Sequence, residues 1–299
     1  MRYMNFEAVS SFWDKHYKKL TIITIIILIA SLGILGFSKI NTGEFIQKDF
    51  SLKGGLLVTV QTIPTLSLDD LKAALANELK EEVNVRELRS LSSGESSGYI
   101  IEFESLDQDK ALVAIEKTLS IKLQDNYTIE EVSSQLGESF LRSTTKAIIA
   151  AFVIMAIVIF VYFREFIPSI AVLLAGFSNL MGVLAIMNIF EIKLSTAGVA
   201  ALLMVIGYSF DTDILLSTKM LKRTDISLKE RLHSSFKTGM TMQVTAIIAL
   251  AVLYILTPAL LLKQIAIILI IGLIFDIPNT WIQNAGLIRF YLESKGGKQ

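Results

Sequence analysis

Long, nearly charge-free apolar runs dominate the pattern of this chain, at residues 20–37, 147–163, 166–190, 194–210 continuing to 218, 238–262 and 264–288. An α-helix rises 1.5 Å per residue, so runs of this length cover roughly 26 to 37 Å, against a bilayer hydrocarbon core of about 30 Å. Six transmembrane helices are predicted. Acids interrupt two of them: Asp211 and Asp213 in the fourth, Asp276 in the sixth. The first run is longer than the apolar stretch of a signal peptide and reads as an anchor.

The polar stretch between the first two runs alternates differently. Residues 55–62 have the period of a strand, and 67–80 read as a helix with Ser67 and Asp70 as a capping pair and Leu71, Leu75 and Leu79 on one face. Residues 84–91 and 99–104 read as strands joined by a turn over 92–98. Asp107 opens a second helix that aligns Leu112, Ile115 and Leu119, and 127–132 closes the series as a strand. The predicted order is βαββαβ, a ferredoxin-like α+β unit. The predicted organisation is therefore a terminus at 1–19, a helix at 20–37, an α+β domain at 38–146, helices two to six at 147–290 and a tail at 291–299.

Composition agrees with a polytopic membrane protein. Of the 299 residues 53% are hydrophobic and only 19% charged, where a soluble domain carries about a quarter. Lysine and arginine fix the orientation: fourteen flank the spans on the side of both termini, whereas Lys193 and Lys263 alone occupy the short loops of the other side. By the positive-inside rule both termini are cytoplasmic and the α+β domain is external. The absence of cysteine excludes disulfides and thiolate chemistry, and two histidines, His16 and His233, are too few for a zinc site built on several imidazoles. With 28 basic and 28 acidic side chains the chain lacks the cationic excess that nucleic acid requires. No cofactor is expected.

An ionised aspartate at the centre of a membrane helix costs on the order of 3 kcal/mol on insertion scales. The three acids must be protonated, paired or beside a hydrated path, which is what a group that loads and releases protons within a membrane needs. Asp211 and Asp213 lie about 200° apart around their helix, so one alone can face a given neighbour. Asp276, Asn279 and Gln283 form an i, i+3, i+7 stripe on the sixth helix, and Pro278 frees the carbonyl of Ile274. A structural reading pairs Asp213 with Lys219 or Arg223 and leaves the stripe as interhelical glue. Gly176, Gly182, Gly198 and Gly207 read as close-packing positions.

One helix, a large polar domain and five closely connected helices resemble half of an RND-type transporter. The run Gly207-Tyr208-Ser209-Phe210-Asp211-Thr212-Asp213-Ile214-Leu215-Leu216 resembles the fourth-helix signature of the SecF family, and Ser51-Leu52-Lys53-Gly54-Gly55 is similar to the Asp-Leu/Phe-x-Gly-Gly box of SecD and SecF proteins. Ser51 stands where that family usually has Asp, and Asp49, two residues earlier, is not assigned the family role. The acidic Asp211-Thr212-Asp213 resembles archaeal members; bacterial ones commonly carry Asn-Asp-Thr. The resemblance implies a non-enzymatic accessory subunit of the cytoplasmic membrane. Such a subunit pairs with a SecD-like six-helix protein, acts on the Sec channel and translocating preproteins, and draws on the proton motive force. It singles out Asp211 as the acid that matches the family; Asp213, Asp276, Asn279 and Gln283 complete the candidate ion relay by their positions in the spans. Two other classes compete: an RND-type small-molecule exporter, for which one small external domain is too little, and an intramembrane aspartyl protease. The protease motif Pro-Ala-Leu does occur, as Pro258-Ala259-Leu260, but it lies between the acids rather than after them.

Overall fold

The computed structural model describes residues 6–296 except 63–65, 82, 90–95, 104–106, 124–125, 224 and 258. Arg2, Glu104, Pro258 and residues 92–95 of the predicted turn lie outside the described residues. Among those described, six helices are long and apolar enough to cross a membrane. They belong to α1 (Phe6–Thr42), α5 (Ser134–Phe163), α6 (Phe166–Ile189), α7 (Thr196–Lys222), α8 (Leu228–Leu256) and α9 (Leu260–Pro278), the last continued by a π segment (Asn279–Asn284) and α10 (Ala285–Ser294). The numbers between belong to the polar domain: α2 (Phe50–Lys53), β1 (Gly55–Gln61), α3 (Leu68–Leu79), β2 (Val83–Arg89), β3 (Ser96–Phe103), α4 (Gln108–Leu119) and β4 (Tyr127–Val132).

The helices overrun the apolar stretches that announce them. Ser133 accepts a hydrogen bond from the Leu136 amide and starts α5 ahead of residue 147. Ser227 and Glu230 form a reciprocal capping box that starts α8 at Leu228, ahead of residue 238. At the other end α8 stops at Leu256, so the fifth span is shorter there than the run to 262 suggested, and Leu260 already belongs to α9. Apolar composition cannot show this break, because the sequence on both sides of Pro258 is equally apolar.

The four strands form one antiparallel sheet in the order β2-β3-β1-β4, with Val58 opposite Ile101 on one side and Ile129 on the other. Alternation places Leu56, Val58 and Val60 on the covered face, where they meet Leu71 and Leu75 of α3 and Ala111 and Ile115 of α4. Ser67 caps α3 and Asp107 caps α4, as their sequence positions suggested. Ser96 to Gly98 are strand rather than turn, because β3 continues to pair with β2 up to Arg89↔Ser96.

Among the spans, α6 and α7 are the most enclosed, whereas α5 and α8 present most of their surface outward. Close approaches are made where glycine leaves room: a Cβ on Gly182 would lie 2.2 Å from the Phe275 ring, and one on Gly272 would lie 2.5 Å from Val205. Gly176 faces the Phe210 ring and Gly198 lies beside Leu194 and Ile268, but Gly207 has nothing within 4 Å. Gly207 is thus not a packing position within this chain.

Candidate functional site

Pro278 explains the shape of the sixth span. It has no N–H to donate, and its ring crowds the carbonyl of Ile274, so the α ladder cannot pass unchanged. The backbone widens into the π segment immediately after it. Just before the proline, Asp276 is 1% exposed, and Asn279, Thr280, Gln283 and Asn284 follow it into the interior. Opposite them α7 contributes Ser209, Thr212 and Asp213, α6 contributes Ser178 and Asn179, and α8 contributes Gln243, all buried.

Two carboxylates anchor this polar cluster, and they are served unequally. Asp276 Oδ1 accepts from Ser209 Oγ at 2.5 Å, and its Oδ2 accepts from Thr212 Oγ1 at 3.0 Å and Gln243 Nε2 at 2.6 Å. The Trp281 indole donates to Gln243 Oε1 at 3.1 Å and so fixes which end of that amide faces Asp276. Asp213, wholly buried, receives one bond, from Asn284 Nδ2 at 2.8 Å, and its Oδ2 has no partner. Gln283 donates to Ser178 Oγ at 3.0 Å rather than to an acid. Asn279 Nδ2, Thr280 Oγ1 and Asn179 Oδ1 are also buried without a partner. Among the described residues no lysine, arginine or histidine forms an ion pair with either aspartate. The cleft between Asn179, Tyr208, Ser209 and Asp276 is too tight for a water molecule. Chemically, the cluster can hold a proton on one of its carboxylates while hydroxyls and amides solvate the charge that remains on the other.

The inward face of α7 is therefore that of Asp213, not Asp211. Asp211 lies on the opposite, exposed side, on a stripe with Leu203, Met204 and Tyr208. The pairing of Asp213 with Lys219 or Arg223 is not found either. Lys219 Nζ binds Ser234 and Thr238, and Arg223 lies 3.6 Å from Asp225. Sequence reasoning passed over Gln243, Thr212, Asn179 and Asn284. A signal existed for Gln243, since an amide alone in a long apolar run carries the same desolvation penalty that drew attention to the acids.

A second polar network sits where the polar domain meets the spans. Asp49 caps α2 by accepting from the Phe50 amide at 2.9 Å, and Gly54, at φ +83°, turns the chain into β1. Residues on either side of Lys48 pair with the α6–α7 loop: the Leu194 amide donates to Gln47 O and the Asp49 amide to Leu194 O, both at 2.8 Å. Ser51 Oγ accepts from the Thr196 amide at 3.1 Å, at the first residue of α7, and Leu52 is buried among the span residues. A Cβ on Gly137 would lie 2.2 Å from the Leu52 carbonyl oxygen, so α2 rests directly on α5. Arg86 of β2 donates to Asp49 at 2.9 Å and to the buried Glu102 of β3, which also accepts from Asn84 at 2.9 Å. Ser51, Gly54 and Gly55 thus belong to a joint between the two parts of the molecule, away from the membrane acids.

Comparison with known proteins agrees with this architecture. A family described as protein export membrane protein SecD/SecF, C-terminal, matches residues 114–294. The protein-export membrane protein SecF of Pyrococcus furiosus is 36% identical over 282 residues, covering 94% of this chain and 93% of that one. SecF of Methanocaldococcus jannaschii is 35% identical over 292 residues, covering 95% and 99%. Among solved structures, SecDF of Thermus thermophilus, a translocon-associated membrane protein, superposes with a TM-score of 0.69 at 16% identity, over 93% of this chain. Another SecDF structure, in a super-membrane-facing form, gives 0.64 at 15% identity over 94%. This chain spans 38% and 39% of those two longer chains, and the likeness is one of fold. With full-length relatives at this identity and a family match over more than half its residues, the chain belongs to the SecF family of protein-export membrane proteins.

Proposed function

We propose that the chain is the accessory subunit of a Sec translocon in the cytoplasmic membrane, with both termini cytoplasmic and the ferredoxin-like βαββαβ domain outside. It works beside a SecD-like six-helix subunit, and proton movement through its buried acids biases a two-state motion that assists the exit of preproteins. One observation carries this reading: Asp213 and Asp276 sit buried on facing helices with no cation between them. Two ionised carboxylates in such a place would cost several kcal/mol, so a shared, exchangeable proton is the arrangement that fits. Asn279 and Gln283 extend the polar track, and a cleft this tight would have to open for the proton to exchange. Each charge moved through about 100 mV supplies about 2.3 kcal/mol, enough to shift a finely balanced conformational equilibrium.

Asp211 enters from the other side of α7. A carboxylate on an otherwise apolar, exposed stripe calls for a hydrogen-bond donor from a second subunit, which suits a SecD-like partner on that face.

The test is protein export by membranes containing the full complex under a proton gradient. Asp213→Asn and Asp276→Asn should each remain assembled and lose gradient-dependent stimulation, while Asp211→Asn should instead weaken recovery of the partner. Normal stimulation in both buried variants would sink the relay. Orientation is checked separately in the cysteine-free chain: an impermeant thiol reagent added to intact cells should label Lys72→Cys and spare Lys229→Cys.

A further inference from the structure

We propose that the groove between the end of α5 and the last turn of α7 binds an anionic phospholipid, with acyl chain on its wall and phosphate at its mouth. The groove is shallow and open, with about 840 Å³ of space along it, and its wall is made by Ile157, Val158 and Val161, which are 59%, 52% and 63% exposed. Its mouth is cationic. Lys222 Nζ lies 3.4 Å from the centroid of the Tyr162 ring, a cation–π contact that parks the ammonium at the rim. Arg164 lines the same rim and closes α5 in a left-handed conformation, φ +56°, with its amide donating to Phe160 O at 2.8 Å.

Neither cation is neutralised. Glu165, the carboxylate next in sequence to Arg164, is engaged elsewhere, accepting from Tyr291 Oη at 2.6 Å and Lys295 Nζ at 2.5 Å. Asp225, just beyond Lys222 in the chain, lies 3.6 Å from Arg223. Among the described residues Arg164 and Lys222 form no ion pair. Two uncompensated cations at the end of an apolar trough match one molecule that carries a phosphate on a hydrocarbon chain. A free phosphate would leave the trough uncovered, and a zwitterionic lipid would bring its own cation to the rim. The proposal is independent of the proton-relay reading, since it uses none of the buried acids.

The experiment is native mass spectrometry of the delipidated full-length protein titrated with phosphatidylglycerol, phosphatidylcholine or inorganic phosphate. Phosphatidylglycerol should be retained and the other two should not. The double variant Arg164→Gln/Lys222→Gln should bind phosphatidylglycerol about tenfold or more weakly, the worth of one charge-assisted hydrogen bond to phosphate. Lys229→Gln/Lys237→Gln removes equal charge from exposed positions outside the groove and should bind as the parent does. Val161→Trp fills the trough, keeps both cations and should also lose the lipid. Equal retention of the two lipids would overturn the proposal, as would equal loss in both double variants. So would phosphate competing as well as lipid, or undiminished binding by the Val161→Trp protein.

Discussion

The two polar networks of this protein treat buried acids in opposite ways. At the joint, Glu102 and Asp49 share the guanidinium of Arg86, so negative charge taken from water is answered by positive charge within hydrogen-bond distance. In the spans, Asp276 is answered by two hydroxyls and two amides, and Asp213 by a single amide. An ion pair holds one charge state and resists change. Neutral donors solvate a carboxylate without fixing its proton, so the span cluster can alternate between states where the joint cannot. On the proposed reading, the difference separates a fastener from a switch within one chain.

The comparison breaks most visibly if the span cluster is made apolar. Asp276→Leu should strand Ser209, Asn179 and Gln243 in the interior, while Thr212 keeps the Tyr208 carbonyl, and destabilise the protein by about 3 kcal/mol or more, at roughly 1 kcal/mol or more for each orphaned group. Thermal unfolding in detergent measures this. Asp276→Asn, which retains an acceptor, should unfold much closer to the parent, and equal loss in the two variants would show that shape rather than polarity matters there.

The joint should respond next. Arg86→Gln leaves the buried Glu102 without its cation, and because the Arg86 side chain is itself 34% exposed, solvent screening holds the expected cost to about 2 kcal/mol. Limited proteolysis should then cut the polar domain faster while the spans stay protected. Faster cutting throughout would mean that the joint is part of one cooperative unit.

The smallest effect belongs to an ion pair with free access to water. The ammonium of Lys295 and the hydroxyl of Tyr291 bond Glu165 and hold its carboxyl below the usual range, while the same contact raises Lys295. The contribution of Glu165 is present above the ordinary carboxyl pKa and is lost as pH falls through the lowered folded value. That of Lys295 is present below the ordinary lysine pKa and is lost as pH rises through the raised one. Stability of Glu165→Gln should therefore differ slightly from the parent near neutrality and converge with it in acid. A gap that persisted in acid would assign the effect to packing instead.

Much of this was legible because the bilayer dictates length, and the capping residues Ser67 and Asp107 dictate where helices begin. The polar sheet was legible through alternation. What failed was the choice between Asp211 and Asp213. In a soluble helix, the apolar side would name the inward one. Here Leu203, Met204 and Tyr208 on the outward side are as apolar as Leu202, Val205 and Phe210 on the inward side, because lipid and protein interior ask for the same side chains. Asn284 was missed because its meaning comes from the acid it reaches on another helix. The sharp end of α8 was hidden for the reason that hid the acids' direction, since hydrocarbon does not distinguish one apolar stretch from the next.

The π segment between Pro278 and Ala285 gives the sixth span slack. A π turn stores one residue more than an α turn needs, and the helix is pinned on both sides of it, by Asp276 against Ser209, Thr212 and Gln243, and by Tyr291 against Glu165. If the stored residue passes along the helix, the side chains it overtakes turn by about 100° while both pins stay where they are. Asn284 lies within that stretch, and its turning away would strip Asp213 of its one donor. The deepest carboxylate could then be uncovered by a ripple inside one helix, with no helix needing to leave its neighbours.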